Sequence, residues 1–522
     1  MSTRRTRLTI AACFLVLLTA RFGLAGIMSG KITAISADDA EITVETKDGK
    51  KSQAFHVVAK TAIQVDGKTA VFDNLASGMQ ISVFTNAANQ VTKIVARHAA
   101  ELPGDAPPAR KPAKKPAGKK SRGGSTPPEG DETAPWPQFL GPNRDNQSNE
   151  TGLLKRWPEN GPKLLWTANG LGAGYSSVSV AQGLVFTMGN RPQGESILAL
   201  RLDNGAGVWE AAIGPTFREG MGDGPRGVPT VEGETLYALG ASGDLACAET
   251  RTGKIRWRKN ILTEFEGNPI KWGICESVLI DGDRLICTPG GKQAAMVALN
   301  KTTGKVLWKA LVPGGSDAGY ASSVAMEVGG VRQYVQFMQR GTVGIRAEDG
   351  KFLWANDSSA NPTANCSAPV WQDDMVFTAS DYGTGGAMLK LASSGKTTTA
   401  TLAYRTNKMK NHHGGMVALK GFLYGADDAT WTCLDLATGT VKWQNRSVGK
   451  GSLTLADGKL ILRSESGPVA LVEATAEDYR EISQFAPGSP SGKQTWPYPV
   501  VATGRLFLRD QDILQCYDLR QE

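Results

Sequence analysis

The stretch "ALNKTTGKVLWKAL", Ala298–Leu311, is a clear copy of a unit that recurs along the chain. An apolar run leads into a turn rich in Asn, Thr and Gly, and a tryptophan follows four residues after the glycine. The same spacing occurs at Gly205/Trp209, Gly253/Trp257, Gly304/Trp308, Gly350/Trp354 and Gly439/Trp443, with the first four glycines 46 to 51 residues apart. A period of roughly 45 residues with about four short strands per unit is typical of a β-propeller.

The unit has a direct physical interpretation. The apolar run predicts the third strand of a blade, and the turn residues predict a tight turn in which Asp or Asn bonds the backbone and Gly takes a positive φ. Trp then begins the outer strand, where its ring is predicted to fill the gap between neighbouring blades. A further copy, "KLASSGKTTTATLAY", keeps Gly395 but has no Trp, and two degenerate copies follow around Ala470 and at "CYDLRQE".

The two ends of the repeat region predict ring closure. The last copy stops after its third strand, while "GPKLLWTANG" near the beginning supplies a lone fourth strand with Trp166 in the repeat position. These strands should complete one blade and remove the free edges of the ring. This count predicts eight blades, and seven if the copy around Ala470 is not a full blade.

The repeats, together with the opening "WPQFLGPNRDNQSNETGLLKRWP" (136–158), resemble secreted bacterial PQQ-binding-like propeller proteins, the quinoprotein-type repeat family. The resemblance covers residues 136–522 and implies a PQQ-like propeller with tryptophan-docking repeats. The family includes quinoprotein alcohol dehydrogenases and the non-catalytic propeller scaffold of the outer-membrane assembly machinery. Membership therefore does not decide between enzyme and scaffold.

Three segments precede the predicted propeller. Arg4, Arg5 and Arg7 before the apolar run "LTIAACFLVLLTA" predict a signal peptide over 1–26, with an uncleaved anchor as the alternative. Short alternating runs over 27–100 predict a small β-barrel domain. Residues 101–135, rich in Pro, Lys, Gly and Ala, predict a disordered linker. The expected location is secreted or periplasmic, with no transmembrane segment after signal cleavage.

The positive charge is concentrated outside the predicted domains. Without the four arginines of 1–26 and the seven basic residues of 110–122, the net charge of +8 becomes −3. Nucleic-acid binding requires a basic folded face, so the charge distribution excludes that class. The expected partner is a protein, a peptide or an envelope polymer.

The crossings between blades contain the candidate site. Each connects an outer strand to the next innermost strand, and all eight should converge at one mouth of the central channel. We predict a ligand-binding site there made of Tyr175, Arg226, Trp272, Glu276, Tyr320, Asn365, His412, His413 and Trp496. Within "KMKNHHGGMVAL", one histidine is expected to face the channel and the other to pack between blades, because neighbouring side chains on a strand point to opposite faces.

No catalytic residue, resident metal or cofactor is predicted. No nucleophile elbow, phosphate loop, zinc spacing or C-x-x-C-H motif occurs in the sequence, and the opposed histidines should not share a metal. The alternative is a PQQ- and Ca²⁺-dependent dehydrogenase acting on an alcohol or sugar, with Glu276, Asn365 and Asp510 as candidate Ca²⁺ ligands. Against it, the chain lacks the pair of adjacent cysteines usual in these enzymes.

The cysteines divide into two groups. Cys247, Cys433 and Cys516 occupy one repeat slot, which other copies fill with Ala or Gly, so they are interpreted as packing residues. Cys275 and Cys366 lie in crossings of neighbouring blades. No disulfide is expected among the three packing cysteines, because equivalent positions in different blades are too far apart.

Overall fold

The protein was analysed as a computed structural model. It describes residues 27–36, 40–46, 52–57, 61–65, 68–70, 72, 75, 79–85, 91–97 and 135–521. The chain divides into two compact units, 1–122 and 123–522. The predicted signal peptide, and the predicted linker except for its last residue, lie outside the described residues.

The first unit contains one mixed sheet of seven strands. They are β1 Ile27–Ser36, β2 Glu41–Thr46, β3 Ser52–His56, β4 Ala62–Val65, β5 Lys68–Ala70, β6 Gln80–Thr85 and β7 Val91–Arg97. The sheet order is β3-β2-β1-β6-β7-β4-β5, and only β4 and β7 pair in parallel. Alternate residues such as Ile42 and Val44, or Ile81 and Val83, are buried in one core. The order ends at β3 and β5, so the closed barrel remains a prediction.

The second unit is built, in its described part, of eight antiparallel sheets of four strands each, which we number in chain order. Sheets 1 to 4 comprise β9 Ser179–Ala181, β10 Leu184–Arg191, β11 Gly194–Arg201 and β12 Gly207–Gly214; β13 Thr230–Glu232, β14 Thr235–Leu239, β15 Asp244–Glu249 and β16 Ile255–Asn260; β17 Leu279–Asp281, β18 Arg284–Cys287, β19 Met296–Asn300 and β20 Val306–Ala310; β21 Val324–Val328, β22 Val331–Met338, β23 Gly341–Arg346 and β24 Phe352–Asn356. A short helix, α1 Ile261–Phe265, follows sheet 2.

Sheets 5 to 8 complete the unit. They comprise β25 Val370–Gln372, β26 Met375–Ser380, β27 Gly385–Ser394 and β28 Thr397–Thr406; β29 Met416–Leu419, β30 Phe422–Asp427, β31 Thr430–Asp435 and β32 Val441–Asn445; β33 Gly451–Ala456, β34 Lys459–Ser464, β35 Val469–Glu473 and β36 Glu481–Phe485; β37 Val500–Ala502, β38 Arg505–Asp510, β39 Ile513–Asp518 and β8 Leu164–Ala168. As predicted, the two ends of the region meet, because β8 pairs with β39. The copy around Ala470 is a complete four-stranded sheet.

First strands lie innermost. Those of neighbouring sheets contact one another, as β9 does with β13, β13 with β17, and β29 with β33. Each later strand therefore lies farther from the centre of the unit. Among the described residues there is no helix with the length and apolar character needed to span a bilayer.

Aromatic side chains of the outer strands connect six of the eight sheets to the next. Trp308 donates its indole N–H to the Ala347 carbonyl, 3.1 Å away, and covers Gly350, where a Cβ would lie 2.5 Å from the ring. The predicted docking role is thus observed, and Tyr404 fills it in the copy that has no Trp. Trp354 differs, because its indole N–H donates to Gln333 of its own sheet. Hydrogen bonds equivalent to that of Trp308 join Trp166 to Leu202, Trp209 to Thr250, Trp257 to Lys301, Tyr404 to Leu436 and Trp443 to Thr475.

The small residues of the repeat slot lie opposite the docking rings. Cys247 pairs across the strands with Trp257, Cys433 with Trp443, and Cys516 with Trp166. All three cysteines are fully buried, and the six cysteines of the described residues are free. A small side chain at this slot leaves room for the large ring beside it.

The opening segment, Trp136–Glu150, crosses the innermost strands. Trp136 pairs with Val180 of β9, and the Pro137 carbonyl accepts from the Val231 N–H of β13. Its side chains then reach distant sheets: Arg144 donates to the Ser277 and Val278 carbonyls, Asn146 to Leu453, Gln147 to Ala418 and Ser148 to Val501. The segment therefore joins six of the eight sheets near the centre of the unit.

Candidate functional site

A cavity of about 180 Å³ lies where the crossings between sheets converge. Seven of the nine predicted site residues line it: Tyr175, Arg226, Trp272, Tyr320, His412, His413 and Trp496. Each stands in or near the loop between the outer strand of one sheet and the inner strand of the next, which is the position that the repeat pattern predicts. The convergence brings together residues more than 300 positions apart in sequence, such as Tyr175 and Trp496.

Glu276 and Asn365 do not line the cavity. The Glu276 carboxylate accepts from the Thr288 N–H and hydroxyl at 2.8 and 2.9 Å, and the Asn365 amide donates to the Met338 and Gln339 carbonyls. Both are almost completely buried. The adjacent residues Cys275 and Cys366 face the cavity instead. The side chains of Glu276 and Asn365 therefore hold the crossings in place.

The side-chain oxygens proposed as Ca²⁺ ligands do not meet at the cavity. Burial raises the pKa of Glu276 to about 7, an environment that favours the uncharged carboxyl. Asp510, the third candidate, accepts from the Ser491 N–H. All three side chains have partners within the fold, so they do not form the oxygen cage that Ca²⁺ requires.

The histidine pair departs from the prediction. Residues 412–414 form a bend that precedes β29, so His412 and His413 do not alternate as strand residues do. Their rings lie 4.6 Å apart and both line the cavity. The expectation that one histidine packs between blades is therefore wrong, as is the strand argument against a shared metal.

Histidine contacts fix one wall of the cavity. His413 Nε2 lies 2.7 Å from Glu465 Oε1, and His412 Nε2 lies 3.2 Å from the Tyr382 hydroxyl. Burial, followed by the nearby His413 and Lys450, lowers the pKa of His412 to about 4. The His412 ring is therefore neutral at neutral pH.

Aromatic rings form most of the remaining wall. Tyr175 and Trp496 lie with ring centroids 4.5 Å apart, and Trp272 and Tyr320 with centroids 5.4 Å apart. The buried indole N–H groups of Trp272 and Trp496 have no hydrogen-bond partner in the protein. A buried donor without a partner is costly, so these two groups favour a ligand that brings acceptor atoms.

Two cations near the cavity are paired with acidic groups. Arg226 lies 3.3 Å from Glu219 and its guanidinium stacks 4.8 Å from the centre of the Phe217 ring. Lys450 lies 2.8 Å from Asp381. A third cation, Lys271, lies 4.8 Å from the centre of the Trp272 ring. The pairing of Arg226 and Lys450 disfavours a polyanionic ligand.

Thiols at the cavity are unreactive. Cys275 and Cys366 both line it, and burial raises the pKa of Cys275 to about 11 and that of Cys366 further still. The nucleophilic form of cysteine is the thiolate, so neither residue is activated at neutral pH.

Sequence reasoning missed several lining residues. Phe139 comes from the opening segment and packs edge-on against Tyr498 at 5.2 Å, while Tyr382 comes from the turn after β26. Neither lies in a crossing, so the repeat pattern gave no indication of them. Glu219 and Met221 lie in the crossing that carries Arg226, and this position was the only signal for them in the sequence.

Comparisons with known proteins are consistent with this fold. Residues 193–445 match a PQQ-repeat family model described as outer membrane protein assembly factor BamB. Quinohemoprotein alcohol dehydrogenase from Comamonas testosteroni is similar at 10% identity and a TM-score of 0.52, covering 75% of this chain and 81% of its own. The enzyme ADHIIG from Pseudomonas putida HK5 is similar at 11% identity and a TM-score of 0.50, covering 74% and 81%.

A third structure, BamB from Moraxella catarrhalis, is similar at 14% identity and a TM-score of 0.46, covering 66% of this chain and 94% of its own. A sequence comparison with curated proteins found no match. At these identities the structural similarities show the fold alone.

The cavity does not fit the cofactor that the dehydrogenase alternative requires. PQQ is a flat tricarboxylate, whereas Arg226 and Lys450 are already paired with Glu219 and Asp381. The oxygens expected to hold Ca²⁺ are bonded within the fold, as described above. We therefore derive no step through PQQ.

Proposed function

We propose that this chain, which belongs to the PQQ-like repeat β-propeller family, is a non-catalytic binding scaffold that works outside the cytoplasm. In this proposal the eight four-stranded sheets are the blades of one closed ring, residues 27–100 form a small barrel, and residues 101–135 link the two. The resemblance to an outer-membrane assembly factor and the predicted signal peptide support a secreted or periplasmic location.

The observation that carries the proposal is the aromatic cavity with two unpartnered indole donors, Trp272 and Trp496. Its walls offer flat apolar surface, Arg226 and Lys450 are paired with acidic groups, and burial disfavours the thiolate form of its two cysteines. These features suit binding and provide no activated nucleophile.

We infer that the occupant is a peptide segment of a partner protein. An aromatic or aliphatic side chain would fill the apolar part, and a backbone carbonyl or terminal carboxylate would accept from the two indoles. Met221, which is 60% exposed and lines the cavity, lies where the rest of such a segment would continue over the surface. An envelope polymer is the alternative partner, and the test below separates the two.

Peptide selection tests this proposal. A random peptide library displayed on phage is selected against the purified chain, and synthetic copies of the selected peptides are titrated by calorimetry. Trp272→Phe and Trp496→Phe keep a ring but remove the N–H, and each should weaken binding about tenfold, the equivalent of one hydrogen bond of about 1.4 kcal/mol. Trp371→Phe is the matched control, because Trp371 is exposed outside this cavity.

Two results would contradict the proposal. The first is that no selected peptide loses affinity in the Trp272 and Trp496 variants, while isolated envelope polymer binds and does lose it. The second is dye-linked oxidation of an alcohol or sugar on addition of PQQ with Ca²⁺, which would support the quinoprotein dehydrogenase.

A further inference from the structure

Three potential metal ligands meet at one side of the cavity. One ligand atom from each of His412, His413 and Glu465 lies within 4.8 Å of the other two. The closest pair is His413 Nε2 and Glu465 Oε1, at 2.7 Å, but the ring nitrogen is not aligned for a hydrogen bond. Two imidazoles and one carboxylate are a ligand set typical of divalent transition metals in proteins.

Backbone contacts hold the three residues in place. Gly414, directly after the histidines, packs so tightly on the next sheet that a Cβ would lie 1.8 Å from the Gly451 carbonyl oxygen. Glu465 donates its N–H to the Lys450 carbonyl at 2.8 Å and accepts from the Thr495 N–H at 2.8 Å. Ligands fixed in this way lose little freedom when they bind an ion.

Three of the four imidazole nitrogens form no hydrogen bond with the protein. His412 Nδ1, His413 Nδ1 and His413 Nε2 are buried without a hydrogen bond. Buried ring nitrogens normally have a partner, and a metal ion is one way to supply it.

We infer that His412, His413 and Glu465 form a site for one divalent transition metal ion such as Zn²⁺, with an open coordination position toward the cavity. Zn²⁺ binds imidazole nitrogen and carboxylate oxygen at about 2.1 Å, which puts two tetrahedral ligands roughly 3.4 Å apart. Ligand atoms already within 4.8 Å therefore need only small side-chain rotations.

The inference does not rest on the proposed peptide function. The Trp272 ring contacts Tyr320 and Lys271, whereas the Trp496 ring lies 5.1 Å from the His413 ring. The Trp272 variant therefore distinguishes a chain that binds peptide without metal from one that binds metal without peptide. A bound ion would add a Lewis acid at the wall, and its open position would accept a carboxylate or carbonyl oxygen of the occupant.

The test uses the full chain without a histidine tag. After removal of metal with EDTA, Zn²⁺ is titrated by calorimetry, and Co²⁺ is added separately to record its visible spectrum. We expect one Zn²⁺ per chain and a Co²⁺ spectrum of four- or five-coordinate nitrogen and oxygen ligation. His412→Ala, His413→Ala and Glu465→Gln should each weaken Zn²⁺ binding at least about a hundredfold, since even outer partners of metal ligands contribute ten- to a hundredfold.

Matched controls use the same substitutions elsewhere. Glu219→Gln changes a carboxylate of the same cavity that pairs with Arg226, and His56→Ala removes an exposed histidine of β3. Both should bind Zn²⁺ as the unchanged chain does. Melting curves in EDTA check that each variant folds. If an alanine variant does not fold, the glutamine variant at the same position, such as His413→Gln, replaces it.

The inference is overturned if the unchanged chain binds Zn²⁺ no more tightly than the ligand variants. It is also overturned if Co²⁺ produces a thiolate charge-transfer band, which would assign the ion to Cys275 or Cys366. A failed metal titration leaves the peptide experiment unaffected, because that experiment is also read in the Trp272 variant, away from the three proposed ligands.

Discussion

Trp308 shows what one docking ring contributes to the propeller. The side chain is 9% exposed, covers Gly350 and bonds a carbonyl of the next sheet. We expect Trp308→Ala to lower the free energy of unfolding by about 3–5 kcal/mol, because it leaves a cavity between two sheets. Denaturant unfolding measures the change.

Trp272→Ala is the matched comparison for that experiment. Trp272 lines the cavity and its indole N–H has no partner, so its removal should cost much less stability and reduce peptide binding. Equal destabilisation by the two substitutions would place Trp272 in the core and remove it from the site.

Glu276 should make stability depend on pH. Burial raises its pKa from the usual 4.5 to about 7, so the folded chain holds this proton more tightly than the unfolded chain. Stability should therefore fall as the pH rises between these two values, by on the order of 3 kcal/mol at about 1.4 kcal/mol per pKa unit. Glu276→Gln removes this titration, and unfolding at pH 5 and pH 8 compares the two proteins.

An exposed carboxylate provides the control. Glu473 pairs with Arg480 on the surface, and Glu473→Gln should keep the pH dependence of the unchanged chain. If Glu276→Gln shows the same loss of stability between pH 5 and pH 8 as the unchanged chain, Glu276 is not the group that titrates.

At the scale of elements, the opening segment is the least expected feature. Arg144 is 5% exposed and donates to the Ser277 and Val278 carbonyls near the start of β17. Arg144→Met should leave the Ser277 carbonyl without its side-chain donor and the Val278 carbonyl with only the Thr230 hydroxyl. Because two hydrogen bonds from a charged group are lost, the free energy of unfolding should fall by about 3 kcal/mol. Arg520→Met, at an exposed pair with Asp518, should change it by less than about 1 kcal/mol. Similar values for the two variants would mean that the segment does not stabilise the inner strands.

Prediction from sequence succeeded where the repeat determines position. The Gly–Trp spacing located the outer strands, and seven of the nine residues predicted from the crossings line one cavity. Their role in binding stays a prediction. Prediction from sequence failed where a local bend or a long-range contact determines where a side chain lies. The bend at His412 and His413 places both rings on one cavity wall, and Glu276 is aimed into the core because its neighbour Cys275 faces the cavity.

Two long-range contacts could not be predicted from the repeat pattern. Asn146 bonds Leu453, and Glu465 meets His413, across separations that no local periodicity records. The repeat copy at Gly395 is a smaller discrepancy. It has no Trp, but Tyr404 fills the docking position. A large ring with one donor is what the position requires, and Tyr meets that requirement as Trp does.

At the scale of the whole molecule, the family model matched over residues 193–445 and the similar fold of a quinohemoprotein alcohol dehydrogenase support the PQQ-like repeat β-propeller family predicted from the repeats. The domain boundaries remain predictions and can be tested by deletion. Removal of 27–135 should leave the melting temperature of the propeller nearly unchanged, because both strands of the closing sheet lie outside the deleted range. A lower melting temperature would show that the division is wrong.

Removal of 161–169 is the opposite case. It deletes β8 and its docking Trp166, and leaves β39 and the neighbouring sheet with free edges. Unpaired strand edges promote association between chains, so we expect aggregation, measured by light scattering. A monomeric product would mean that β8 does not close the ring.

The pairing of β8 with β39 also has a consequence for the order of folding. Every other sheet of the propeller is made from four consecutive strands, whereas Trp166 meets Cys516 across 350 residues. Sheets 1 to 7 can form as synthesis proceeds, but β8 has to wait for β39, the last of the strands to leave the ribosome. Contacts between such distant residues form slowly, and open intermediates with bare edges are prone to misassembly. We therefore expect the chain to be most prone to misassembly in the interval between synthesis of β8 and synthesis of β39.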